Sequence, residues 1–196
     1  MAERKSVVSF AVRQGLRIYQ EDRHVCLRID KPDLKGWLLA VMDGHNGKLV
    51  AELCAEKIEK LFRITDEGQA EESLRCLVAD LNNQTESYPE GSTFSAALFL
   101  DGVPKVWVAV LGDSPVVVFD HDGKIHISPE HNVRSNLQER KATEQRGGIY
   151  LNGYIWTDLS DLAKGLQMGR ALGDANFGKI LSREPDIYTV YNPQWV

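Results

Sequence analysis

An α+β architecture, antiparallel strands around a helix pair, is predicted for this chain, and three observations carry it. Short runs rich in β-branched and aromatic residues open the sequence, and a stretch with apolar residues three and four apart follows. The period then returns to two, with Asp-Gly turns between the runs. The 196 residues, 43% apolar and 26% charged, have an ordinary globular balance and suit one domain.

Each element follows from a local pattern. Val7 to Val12, His24 to Ile29 and Trp37 to Met42 read as strands, punctuated by Gly15, Pro32 and Gly36. Leu49, Val50, Leu53, Cys54, Ile58, Leu61 and Phe62 form the apolar stripe of a helix that Glu56/Lys60 and Glu59/Arg63 support as i,i+4 pairs. Leu74, Leu77, Val78 and Leu81 repeat the stripe after a turn near Gly68, which predicts a second helix packed antiparallel on the first. Ser92 to Leu100, Val103 to Leu111, Pro115 to Phe119 and Lys124 to Ile127 then predict an antiparallel meander, linked through Asp101-Gly102 and His121-Asp122-Gly123. A polar surface helix is expected from about Ser135 to Arg146, with Ser135 and Gln138 as capping box and Gly147-Gly148 as stop. A hairpin around Asn152-Gly153 and a polar insertion up to Gly165 complete the pattern.

Composition excludes several functions. Twenty-three Lys and Arg against 28 Asp and Glu leave a net charge of −5 with no basic run, which argues against a nucleic-acid partner. No apolar stretch approaches the roughly 20 residues of a spanning helix, and the N-terminus has no secretory apolar core, so a cytoplasmic protein off the membrane is expected. Cys26, Cys54 and Cys76 form no C-x-x-C pair and read as buried thiols in a reducing compartment. Neither G-x-S-x-G, H-E-x-x-H nor G-x-G-x-x-G is present, which removes the usual serine-hydrolase, zinc-protease and dinucleotide signatures.

Four segments can carry chemistry. In Val41-Met42-Asp43-Gly44-His45-Asn46-Gly47 a strand ends on a carboxylate, a glycine and an imidazole. Asp43 offers two hard oxygens able to bridge cations and Gly44 a carbonyl, although a helix-capping turn would use the same residues. Glu21 and Asp22 stand between Arg17 and Arg23, and the planar fork of Arg17 suits a phosphate. Leu111-Gly112-Asp113-Ser114 is another strand end closing on a carboxylate, and Arg170-Ala171-Leu172-Gly173-Asp174 alone would be an ordinary turn.

Together these pieces resemble, in order, a known family. Gly15-Leu16-Arg17, Gln20-Glu21-Asp22-Arg23, Met42-Asp43-Gly44-His45, Gly91-Ser92-Thr93, Leu111-Gly112-Asp113-Ser114, Asp122-Gly123, Glu130-His131-Asn132, Gly147-Gly148, Gly169-Arg170-Ala171-Leu172-Gly173-Asp174 and Glu184-Pro185-Asp186 are similar to the line of motifs of protein phosphatase 2C, the metal-dependent protein phosphatases. The resemblance implies an antiparallel β-sandwich flanked by helices in α-β-β-α layers, and hydrolysis of phosphoserine or phosphothreonine by water activated at a pair of Mg²⁺ or Mn²⁺ ions. It implies metal ligation by Asp43, Gly44, Glu21 and Asp113, with Asp22 and Asp174 behind them. Arg17 is implied as the phosphate grip and His45 as the acid that protonates the departing alkoxide. The expected partner is a phosphoprotein substrate or a protein kinase. The other histidines, His24, His121, His126 and His131, are expected on the surface or in packing.

The match also departs from the family. Past Glu184-Pro185-Asp186 the family's pattern runs into a strand ending in another Asp-Gly, then helices and a last strand with a further metal-binding aspartate, none of which precedes Val196. A single phosphatase-like domain over 1–196 without those elements is therefore expected, with weak cation binding and sheet edges that a dimer or partner covers. Pro115 stands where the family usually has Arg, and Asn46 where it has a small residue. Asp158 and Asp161 of the polar insertion are candidates to supply missing carboxylates. The alternative to an enzyme is a catalytically impaired phosphatase-like module that binds a phosphoprotein or kinase.

Overall fold

A computed structural model describes residues 7–160 and 165–196. The elements are β1 (Arg23–Lys31), β2 (Leu34–Met42), β3 (Gly44–His45), α1 (Leu49–Leu61), α2 (Ala70–Thr85), β4 (Gly91–Ser92), β5 (Phe94–Leu100), β6 (Lys105–Leu111), β7 (Val117–Asp120), β8 (Ile125–Ile127), α3 (Leu137–Gln145), β9 (Ile149–Leu151), β10 (Tyr154–Trp156), β11 (Leu172–Gly173), β12 (Asp186–Tyr191) and β13 (Pro193–Trp195). Short 3-10 turns precede α2 and follow β11. The main sheet is antiparallel, in the order β1-β2-β5-β6-β12, and a second sheet runs β13-β7-β8.

Alternation along the central strands builds the layers. Trp107, Ala109 and Leu111 of β6 face a core shared with Leu38 and Met42 of β2, Phe94 and Leu98 of β5, and the buried stripes Val50, Cys54, Ile58 of α1 and Leu74, Leu77, Leu81 of α2. Val106, Val108 and Val110 face the other way, onto Val118 of β7 and Val190 of β12. A stretch of strand buried on both faces carries no polar positions, which is why Val106 to Leu111 of β6 is an unbroken apolar run. Each fully buried Leu or Phe contributes roughly 1.5–3 kcal/mol, so this doubly packed sheet anchors the molecule.

Several expectations change. Val7 to Val12 is not a strand: Val7, Phe10 and Val12 are exposed, and among the described residues the segment has no ladder partner, without which β-propensity cannot satisfy the backbone. Phe10 instead lies 4.1 Å, ring to ring, from His24. The surface helix begins at Leu137, and its cap is Asn136, whose Oδ1 accepts from the N–H of Gln138 (3.0 Å) and Glu139 (3.1 Å), while Ser135 turns to Glu130. Only Cys54 is buried; Cys26 and Cys76 lie on solvent faces of β1 and α2. β12 was not apparent as a strand in the sequence pattern, yet it pairs along its length with β6. Asp158 accepts from the Ser160 N–H at 2.7 Å in a local turn, and Asp161, like the first six residues, lies outside the described residues.

Among the described residues no helix is long and apolar enough to cross a membrane. The β8 edge is open, with Ile125 and Ile127 exposed, as is Trp195 of β13.

Candidate active site

The site grows from one interruption in the sheet. Val41 of β2 pairs with Ser95, and Gly44 of β3 pairs with Ser92, so the β3–β4 pairing keeps the register of β2–β5 across Asp43. At the interruption the Asp43 N–H donates to Thr93 Oγ1 (3.0 Å), and the Asp43 carbonyl accepts from the Thr93 N–H (3.0 Å) and the Ser92 hydroxyl (3.2 Å). Thr93 Oγ1 also meets Ser114 Oγ at 2.9 Å, which ties Asp43 to the end of β6. Because side chains alternate along a strand, Val41, Asp43 and His45 share the face away from the helices.

Other acids arrive from separate segments. The charges of Asp22 and Asp113 both reach Asp43. Crowding by protein, then these two like charges, push the Asp43 carboxyl up to about 6, against a smaller opposing pull from His45. Asp113 Oδ2 accepts from Asn132 Nδ2 at 2.8 Å, and the preceding Gly112 N–H donates to His131 Nδ1 at 3.0 Å. His131 is 1% exposed and reaches Asp186 Oδ2 at 3.1 Å through Nε2. Its Nδ1 accepts, so Nε2 carries the proton. Asp186 in turn binds Arg170, which also grips the buried Glu139 of α3.

Glu21 is turned differently. Its Oε1 accepts from the Gly47 N–H at 2.8 Å, and Glu90 Oε2 accepts from the Leu49 N–H at 2.7 Å. Two carboxylates thus satisfy N–H groups at the start of α1, where the helix dipole favours negative charge. Gly44 lets the Glu21 main chain come close: a Cβ there would stand 2.7 Å from the Glu21 carbonyl oxygen. Arg23 braces this turn through the carbonyls of Gln20 (3.0 Å) and Asp22 (2.7 Å) and an ion pair with Glu52. His45 reaches Asp174 Oδ2 at 2.7 Å. Burial works against the charged imidazole, but that hydrogen bond and the Asp174 charge outweigh it and raise the His45 pKa.

The fold therefore gathers Glu21, Asp22, Asp43, Gly44, His45, Asp113 and Asp174 at one end of the sheet. Arg17 stands apart: it is exposed in the loop before β1, and among the described residues its guanidinium has no partner in this group. No three His, Cys, Asp or Glu side chains among the described residues form a ready metal cage. The donor chemistry nonetheless fits a hard divalent cation, since Asp22, Asp43 and Asp113 repel one another and present only oxygens. Thr93, Asn132 and Glu90 were missed as support for the site; Thr93 had a signal in Gly91-Ser92-Thr93 and Asn132 in Glu130-His131-Asn132, whereas Glu90 had none beyond residue type.

A helix-flanked antiparallel sandwich with oxygen donors gathered where its strands end is the class these features define. The model of the family described as Protein phosphatase 2C matches residues 6–193, and the chain belongs to that family. It is 32% identical over 177 residues to "Probable protein phosphatase 2C 9" of Arabidopsis thaliana, covering 85% of this chain and 60% of that protein. It is 30% identical over 174 residues to "Probable protein phosphatase 2C 41" of Oryza sativa subsp. japonica, covering 85% and 59%. The chain thus spans about 60% of the length of these relatives. Among solved structures, a C. elegans sex determining protein superposes with TM-score 0.71 at 25% identity over 90% of this chain and 47% of that one. Serine-threonine phosphatase 2C from Toxoplasma gondii gives TM-score 0.71 at 18% identity, covering 90% and 72%, which speaks for the fold alone.

Proposed function

We propose that this chain is a metal-dependent protein serine/threonine phosphatase, a single phosphatase-like domain that hydrolyses phosphoserine and phosphothreonine in protein substrates. The observation that carries this is the convergence of Asp22, Asp43 and Asp113 from three distant segments on one electrostatic neighbourhood, with His45 two residues beyond Asp43. Membership of a family of metal-dependent protein phosphatases supports it.

Asp43, the Gly44 carbonyl, Glu21 and Asp113 would hold Mg²⁺ or Mn²⁺, two ions by family resemblance. An ion held there would supply the means to lower the pKa of a water and to neutralise charge on the phosphoryl group. Asp22 orients polar groups around Asp43. Arg17 grips the phosphate by its planar fork, which requires its loop to close from the exposed position seen here. His45 gives its proton to the departing serine or threonine oxygen, a step typically worth about 10²–10⁴ in rate. Exposed thiols at Cys26 and Cys76 fit a reducing, cytoplasmic setting, and the open β8 edge fits a dimer or partner covering it.

Hydrolysis of a phosphothreonine peptide with Mn²⁺ tests the assignment. Asp43→Asn is expected to lower kcat by about 100-fold or more and to abolish the rise in melting temperature that Mn²⁺ produces. Equal rates for both proteins would reject it. Phosphopeptide binding without turnover at millimolar Mn²⁺ would make the chain a binding module instead.

A further inference from the structure

We propose that Asp174 is a positioning residue for His45, holding the imidazole in the orientation from which it protonates a departing alkoxide; this rests on the phosphatase function proposed above. Three short strands build the arrangement. β4 lies between β11 and β3, and Gly91 of β4 is paired with His45 on one side and with Gly173 on the other. His45 and Asp174 meet beside that middle strand, Nε2 to Oδ2, at 2.7 Å. They can do so because position 91 has no side chain: a Cβ there would stand 2.0 Å from Asp174 Oδ2 and 2.2 Å from His45 Nε2. Real Cβ contacts do not reach such distances, so any other residue would force the pair apart.

Asp174 is itself fixed. Its side chain is 1% exposed, and its backbone is left-handed (φ 51°, ψ 48°), a conformation that Asp and Asn tolerate better than most residues. Its N–H donates to the Glu90 carbonyl at 2.8 Å, and Arg183 holds the carbonyls of Ala171 and Gly173 just before it. A carboxylate buried this deeply is costly unless hydrogen-bonded, and the imidazole supplies a partner. The bond commits Nε2–H to Asp174, so the ring can neither swing freely nor exchange tautomers when neutral. Nδ1, buried and without a hydrogen-bond partner among the described residues, is the atom that must carry the transferred proton in the imidazolium and lose it to the alkoxide, leaving the Nε2–H tautomer. Since His45 shares the strand face of Asp43, its orientation is set relative to the gathered acids.

The full chain with Mn²⁺, assayed on two substrates, tests this. p-Nitrophenolate leaves without a proton, whereas a threonine alkoxide needs one. Asp174→Asn keeps the side-chain shape and the left-handed backbone. It should lower kcat on a phosphothreonine peptide about tenfold to a hundredfold, with KM within about twofold, and lower p-nitrophenyl phosphate turnover by less than about threefold. His45→Gln should give the same split, the double variant should be no worse than His45→Gln, and Gly91→Ala, which separates the pair without removing either member, should reproduce it. A second arm does not need turnover. By ¹⁵N NMR at alkaline pH, with the His45 signals assigned from their loss in His45→Gln, the wild-type ring should show one tautomer protonated at Nε2, and Asp174→Ala a mixture. Equal losses on both substrates in Asp174→Asn, or an unchanged His45 tautomer in Asp174→Ala, would overturn the proposal. A wild-type chain inactive on both substrates would instead overturn the phosphatase function and leave the tautomer to decide the positioning.

Discussion

His131 shows how much a single buried ring can organise. Burial lowers its pKa, and Arg170 adds to the effect while the Asp186 hydrogen bond and the Glu139 charge oppose it. An unfolded histidine titrates near about 6.5, so between that value and the lower folded one only the unfolded chain binds the proton. The stability this ring provides is present above about pH 6.5 and is lost as the pH falls. Urea unfolding at pH 7.5 and 5.5 should therefore show a larger acid loss in the wild type than in His131→Asn, whose amide does not titrate, since carboxylate titrations common to both cancel. An equal loss would remove His131 as the cause. The cysteines make a second case: Cys54 is pushed up to about 12 by burial, while Cys26 and Cys76 are exposed. A thiol reagent at neutral pH should label two sites in the native protein and three after denaturation; labelling of Cys54 without unfolding would contradict its burial.

Among the elements, α3 departs furthest from its sequence pattern. Its sparse apolar face predicts a surface helix, yet Glu139 and Thr143 are buried and the helix is held through polar contacts. Arg170 meets Glu139 and Asp186, and Arg146 lies 3.8 Å from Glu139. Arg170→Leu should cost about 3 kcal/mol in denaturant unfolding, because it strands the Glu139 charge in a site that is 5% exposed. Asn136→Ala should cost about 1 kcal/mol by releasing the N–H groups of Gln138 and Glu139. Helices α1 and α2 and strands β1, β2, β5 and β6 were legible because their periodicity is a local consequence of which face is buried. The true cap of α3, the missing strand at 7–12 and the existence of β12 were not, because each depends on a partner distant in sequence: Asn136 wins over Ser135 by geometry, residues 7–12 lack a ladder, and β12 gains one from β6.

Across the molecule, the main sheet is the rigid part. Leu98 sits in the center of the helix-facing core with no exposure, and Leu98→Ala should cost about 2–5 kcal/mol in equilibrium unfolding, far more than Ile125→Ala at the open β8 edge, where half the side chain is already wet. Comparable losses at both positions would mean that the β13-β7-β8 sheet is as tightly packed as the center. Motif order along the chain pointed to the family, and with it to the acids and the imidazole worth watching, because the chemistry requires particular functional groups and these are written in residue type. Which of them meet was settled by the folded chain. Asp22 rather than Glu21 faces Asp43, Glu21 and Glu90 serve the start of α1, and His45 finds Asp174 beside a glycine in a neighbouring strand. Residue type sets what a side chain can do, but contact depends on register and packing among segments far apart in sequence, and no local pattern encodes that.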